Sequence, residues 1–155
     1  MKKVVLMIVT SLAICSSAFS QELTNSQKEK ISSEIAAVFE KNVKAAESID
    51  IKGLADCVND TLKAGFINNV FFNSFDEVMK GFEAGINGVE SQKFDFSNKK
   101  ITVLADNLVL LTASGNYSVA LEDSRTLYGK FAWTFVYSKI NGNWKIIHSH
   151  MSNPK

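Results

Sequence analysis

The pair Asn141-Gly142 sits between two long alternating segments, F-A-W-T-F-V-Y-S-K-I (131–140) and N-W-K-I-I-H-S-H-M-S (143–152). Asn-Gly is a strong hairpin signal, because both residues tolerate positive φ and a type I′ turn matches the twist of the flanking strands. A two-residue loop here sets Tyr137 opposite Ile146, Phe135 opposite His148 and Trp133 opposite His150. Strand residues two apart share a face. This register therefore predicts one face of Phe131, Trp133, Phe135, Tyr137, Trp144, Ile146, His148 and His150. The other face carries Ala132, Thr134, Val136, Ser138, Lys145, Ile147, Ser149 and Met151.

Two more turns extend the sheet, which the pattern starts at Lys93. Asp106-Asn107 closes a hairpin with Ala105 facing Leu108, and Asp123-Ser124, or a wider loop around it in the same register, sets Glu122 opposite Arg125. That register brings Ser114 beside Trp133, Thr112 beside Phe135 and Leu110 beside Tyr137, with Ile101, Val103 and Ala105 continuing the face.

Helices come first along the chain. From Asn25 to Ser48, Ile31, Ile35, Val38, Phe39, Asn42/Val43 and Ala46 recur at three and four residues, the stripe of a helix with one buried side. Thr24 with Gln27 three residues on supplies its cap. Asp50 caps a short second helix to about Cys57, and Gly65 with Asn68-Asn69 marks a short hairpin. Ser74-Phe75-Asp76-Glu77 opens a third helix that aligns Phe75, Val78, Met79, Phe82, Ile86 and Val89. Helices followed by antiparallel strands make an α+β domain, with the helices covering the aromatic face.

Lys2-Lys3, the apolar run 4–14 and Ala18-Phe19-Ser20 read as a signal peptide cleaved after Ser20, which predicts a secreted or periplasmic protein. The alternative use of Cys15 as a lipidated residue places the bulky Ile14 just before it. Residues 21–155 then form one domain. Loss of Lys2 and Lys3 from the seventeen basic residues leaves a net charge of −1 against sixteen acidic ones. A near-neutral chain without basic clusters argues against nucleic acid as a partner. Outside the leader no apolar run is long enough for a membrane span. Cys57 is the only cysteine outside the leader, so the domain has no internal disulfide, and its plain reading is a small buried residue.

The aromatic face, with Thr112 and Ser114 among its large rings, has the make-up of a ligand site. Phe131, Trp133, Phe135, Tyr137, Thr112, Ser114 and Leu110 are its candidate binding residues. The predicted ligand is a small, largely apolar molecule. His148 and His150 are candidate acid–base groups, with Tyr137, Ser114 or Thr112 donating to an oxyanion. The bland reading keeps both histidines as hydrogen-bonded strand residues. A metal site is not expected, since a third ligand is missing from that face, and no cofactor motif is present.

The order of elements and the segments 129–137 and 144–152 resemble the NTF2-like superfamily, within it the SnoaL-like and DUF4440 group. The resemblance implies a cone, with N-terminal helices packed on a strongly curved antiparallel sheet that encloses a pocket. It also implies homodimers through the outer sheet face, here Thr134, Val136, Ile147 and Met151. Members include ketosteroid isomerase, polyketide cyclases and dehydratases, so a lyase or isomerase using a pocket histidine is the alternative to pure binding. An isomerase of this family uses a carboxylate base, and the face derived above has no Asp or Glu in its middle.

Overall fold

The computed structural model describes residues 22–154. The leader, its cleavage point and Cys15 lie outside the described residues.

Helix α1 spans Asn25–Glu47. Its capping box forms as the sequence predicts: Gln27 N–H donates to Thr24 Oγ1 at 3.3 Å, and Thr24 N–H donates to Gln27 Oε1 at 2.8 Å. It buries Ile31, Ile35, Phe39, Asn42 and Ala45, a stripe at four, four, three and three residues. The chain turns through Ile49 at φ +57°. Asp50 then caps α2 (Ile51–Asp56) by accepting the N–H of Gly53 at 2.8 Å. Strands β1 (Phe66–Asn68) and β2 (Phe71–Asn73) form the short hairpin. Ser74 and Glu77 box the start of α3 (Phe75–Gly85). Four long strands follow, β3 (Val89–Ala105), β4 (Leu108–Leu121), β5 (Thr126–Ile140) and β6 (Asn143–Ser152).

The six strands make one sheet in the order β2-β1-β6-β5-β4-β3. It is mixed rather than wholly antiparallel, because β1 joins β6 in parallel, with Phe66 beside Ser149 and Ile67 beside His150. Register shifts between Phe96 and Asn98, Val103 and Ala105, and Val136 and Tyr137 interrupt the ladders. Such bulges bend a strand and increase its twist.

Two predicted registers are corrected. The β4–β5 loop has three residues and sets Leu121, not Glu122, opposite Arg125: Leu121 N–H donates to Arg125 O at 2.8 Å, and Ser124 sits at φ +68°. The ladder therefore pairs Ala113 with Trp133, Leu111 with Phe135 and Val109 with Tyr137. Val109 and Leu111 are fully buried. Leu110, Thr112 and Ser114 pair instead with Val136, Thr134 and Ala132 on the opposite face.

The Asn141-Gly142 turn forms with the predicted register as far as Tyr137 opposite Ile146. There a bulge adds one residue to β6, so that Val136 pairs with His148, Thr134 with His150 and Trp133 with Met151. The histidines thus leave the aromatic face, and Ser149 and Met151 join it. Of the predicted outer set, Thr134 and Val136 stay outside, Ile147 is buried at the bulge and Met151 turns inward.

The core lies between α1 and the inner face, around Ile35, Phe39, Val109, Leu111, Tyr137 and Ile146. Full burial of one such side chain stabilises by roughly 1.5–3 kcal/mol relative to exposure. Exposed ion pairs such as Lys52–Asp56 add little by comparison.

Candidate functional site

The core is not filled to its end. A cavity of about 210 Å³ opens between the helices and the aromatic half of the sheet. Phe39, Asn42 and Val43 of α1 form one wall, and Phe75, Val78 and Phe82 of α3 another. The sheet supplies Phe94, Trp133, Phe135, Ile146, Ser149 and Met151. The capped start of α3 and the three- and four-residue spacing of its apolar side turn that helix toward the cavity.

The rings on the sheet hold one another in place. Trp133 stacks on Phe131 at 4.2 Å between centroids and meets Phe94 edge-on at 4.8 Å. Such pairs stabilise beyond their area and fix ring orientation. Phe131 is buried behind this cluster and does not line the cavity.

Among the described residues the lining contains no Asp, Glu, Lys, Arg or His. Its polar members are Asn42, Gln92, Ser149 and Cys57. Gln92 is spent on the end of α1, donating through Nε2 to Ala46 O. The Cys57 thiol donates to Gly53 O at 3.1 Å, and burial pushes its pKa up, which keeps it protonated and weakly nucleophilic. Asn42 is 8 % exposed and donates from Nδ2 to the hydroxyl of Tyr137 at 2.9 Å. Tyr137 lies wholly buried behind it, and desolvation drives its hydroxyl pKa far above the ordinary phenol range.

The sequence-derived candidates are thus divided. Trp133 and Phe135 line the cavity, while Tyr137 reaches it only through Asn42. Leu110, Thr112 and Ser114 are on the other side of the sheet, where Ser114 Oγ accepts from Asn98 Nδ2 at 3.3 Å. His148 donates from Nδ1 to Gly65 O at 2.8 Å and ties β1 to β6. His150 is exposed, with Nε2 at 3.1 Å from Ser152 Oγ. Neither histidine lines the cavity.

Ser149, Met151, Asn42 and the α3 residues were not among the expected site residues. The adjacent apolar pair Ile146-Ile147 breaks strict alternation, a sign of the bulge. Val109, Leu111 and Ala113 are also more uniformly apolar than Leu110, Thr112 and Ser114, which marks them as the core-facing set.

A larger crevice of about 630 Å³ runs between residues 22–28 and the β3–β4 hairpin. Among the described residues its walls include Glu22, Gln27, Lys28 and Asp106 and no aromatic ring, unlike the cavity beside Trp133.

The SnoaL-like domain family matches residues 35–155. The chain belongs to this family. No curated protein matches this SnoaL-like chain. Solved structures similar to it include an NTF2-like superfamily protein from Salmonella enterica serovar Typhimurium. The two are 15% identical with TM-score 0.72, over 83% of this chain and 94% of that one. A proposed dehydratase of the NTF2-like family from Streptomyces avermitilis is 14% identical with TM-score 0.70, covering 83% and 99%. A proposed scytalone dehydratase from Novosphingobium aromaticivorans is 13% identical with TM-score 0.72, covering 85% and 89%. These structural likenesses show the NTF2-like fold for this SnoaL-like domain and leave its activity to its own residues.

Proposed function

We propose that this SnoaL-like domain is an exported binding protein that holds a small, neutral, largely apolar molecule between α3 and the aromatic sheet. The observation that carries the reading is the cavity lining, apolar and aromatic with a few polar groups and, among the described residues, no ionised side chain. A charged ligand would lose its hydration there without gaining a counter-ion, which is costly. The same lining argues against acid–base chemistry. The dehydratase-like relatives suggest a lyase, but among the described residues the only conventional titrating group on these walls is Cys57, whose thiol is held protonated.

Binding is tested by calorimetric titration of the full chain with apolar aromatic probes. Saturable binding that is abolished by filling the cavity with Val78→Trp supports the reading. Binding that survives Val78→Trp, or no saturable binding at all, overturns it.

Export is supported by the charged and apolar pattern of residues 2–20. Terminal sequencing of the protein from its host should start at Gln21, and a retained Met1 would refute the assignment. A homodimer through the outer sheet face, centred on Thr134 and Val136, completes the proposal. Sedimentation should give a dimer that Val136→Lys dissociates, and a monomeric wild type removes it.

A further inference from the structure

Helix α3 covers the cavity unevenly. Its first turn is pinned by the Ser74–Glu77 capping box, in which Glu77 N–H donates to Ser74 Oγ at 3.3 Å. Phe75 and Val78 pack against the buried core, and the Phe75 ring centre lies 6.0 Å from that of Phe66. Met79, Phe82 and Ile86 also line the cavity, but among the described residues they do not pack against that core. None of the residues of α3 is buried.

The half that stands over the cavity is also weak as a helix. It holds Gly81 and Gly85, and glycine is the least helix-favouring residue after proline. Packing calls for neither of them: among the described residues, a Cβ at either position would meet no atom within 4 Å. Past the helix the chain is fixed again. Gly88 sits at φ +76°, where glycine is favoured, and its carbonyl accepts from Glu122 N–H at 3.0 Å. A segment held at both ends and loosely packed between them opens locally at far less cost than the whole domain unfolds.

We propose, resting on the binding reading above, that residues 79–86 are the gate of the pocket. They unwind while the capped first turn and Gly88 stay in place, admit a neutral apolar molecule, and rewind over it. Met79, Phe82 and Ile86 are the side chains that close the mouth. Gly81 and Gly85 set how often it opens, because they weaken the helix without serving its packing.

The experiment uses fluorobenzene, a single apolar ring of a size that such a cavity holds, on the purified full chain. In the free protein, amides of residues 82–86 should exchange hydrogen about tenfold faster than those of residues 35–43 in α1, and saturating fluorobenzene should slow them. Equal protection of the two segments in the free chain, or no slowing on binding, overturns the gate. Association and dissociation rates come from ¹⁹F saturation exchange. Gly81→Ala combined with Gly85→Ala should slow both rates together by about tenfold and leave Kd within about twofold, since opening becomes rarer. Ala84 is exposed and outside the lining, and Ala84→Gly should speed both rates by about fivefold. A change in dissociation alone, as from a methyl that merely touches the ligand, or a change in neither rate, makes α3 a fixed wall and overturns the gate while the pocket stands. No saturable binding of fluorobenzene to wild type overturns the binding reading, and the gate with it.

Discussion

Glu34 and Trp144 meet across the helix–sheet seam, the indole N–H donating to the carboxylate at 2.8 Å. The same oxygen accepts from Lys139 Nζ at 2.9 Å, and Lys139 lies over the Trp144 ring. The indole hydrogen bond first, and Lys139 second, hold the Glu34 carboxyl below its usual range. A lowered folded pKa adds stability above the unfolded value and loses it as pH falls through the folded one. Glu34→Gln should therefore cost roughly 0.5–1 kcal/mol at pH 7, limited by solvent screening of a partly exposed pair. The gap between variant and wild type should close in acid below the folded pKa, as followed by urea denaturation across pH.

Phe39 packs edge-on against Phe96 at 5.2 Å and lines the cavity. Phe39→Ala should destabilise by roughly 3–5 kcal/mol, the cost of removing a buried ring. The enlarged cavity should also shift binding toward two-ring ligands. Thermal denaturation and a titration with naphthalene against toluene check the two effects together.

His148→Ala and His150→Ala should leave ligand affinity within about twofold of wild type, a change well under 1 kcal/mol. His148→Ala should instead loosen β1, since Nδ1 no longer holds Gly65 O, at a cost of about 1 kcal/mol. Hydrogen exchange at the amides of Phe66 and Ile67 is the appropriate readout. Loss of binding without faster exchange would return the histidine to the site.

Gly115→Ala should be among the most damaging small changes outside the core. A Cβ there would lie 1.9 Å from the backbone oxygen of Asp95 on β3. Backbone on a paired strand cannot move aside, so a loss of about 2–3 kcal/mol is expected, at the upper end for overpacking. At Gly129 the obstacle is the end of the Tyr117 side chain, which can swing away. Gly129→Ala should cost less than half as much, and parallel melting curves decide.

Much of the frame was legible from local chemistry. Thr24 with Gln27, Asp50, and Ser74 with Glu77 begin the three helices where their side chains can satisfy free backbone N–H groups. Ala105 faces Leu108, and the Asn141-Gly142 turn aligns Tyr137 with Ile146. Phe131, Trp133, Phe135 and Tyr137 of β5 point inward as alternation requires, and Trp133 and Phe135 line the cavity. The site was less legible, because its composition depends on strand phase over long distances. One extra loop residue at Ser124 exchanged Leu110, Thr112 and Ser114 for Val109, Leu111 and Ala113. One extra residue in β6 exchanged the histidines for Ser149 and Met151.

By itself, then, the sequence determined where helices start, where the chain turns and which strands are amphipathic, since each depends on interactions within a few residues. Tertiary structure decided which side chains share the pocket. A strand has a side-chain period of two, so a slip of one residue turns every later side chain to the opposite face. One slip comes from the local loop at Ser124, and the other lies where distant segments meet: β6 docks on the chain after α2, with Ile146 N–H donating to Cys57 O and Asn59 N–H to Ile146 O. The pairing of Asn42 with Tyr137, 95 residues apart, likewise exists only once helix and sheet are packed together.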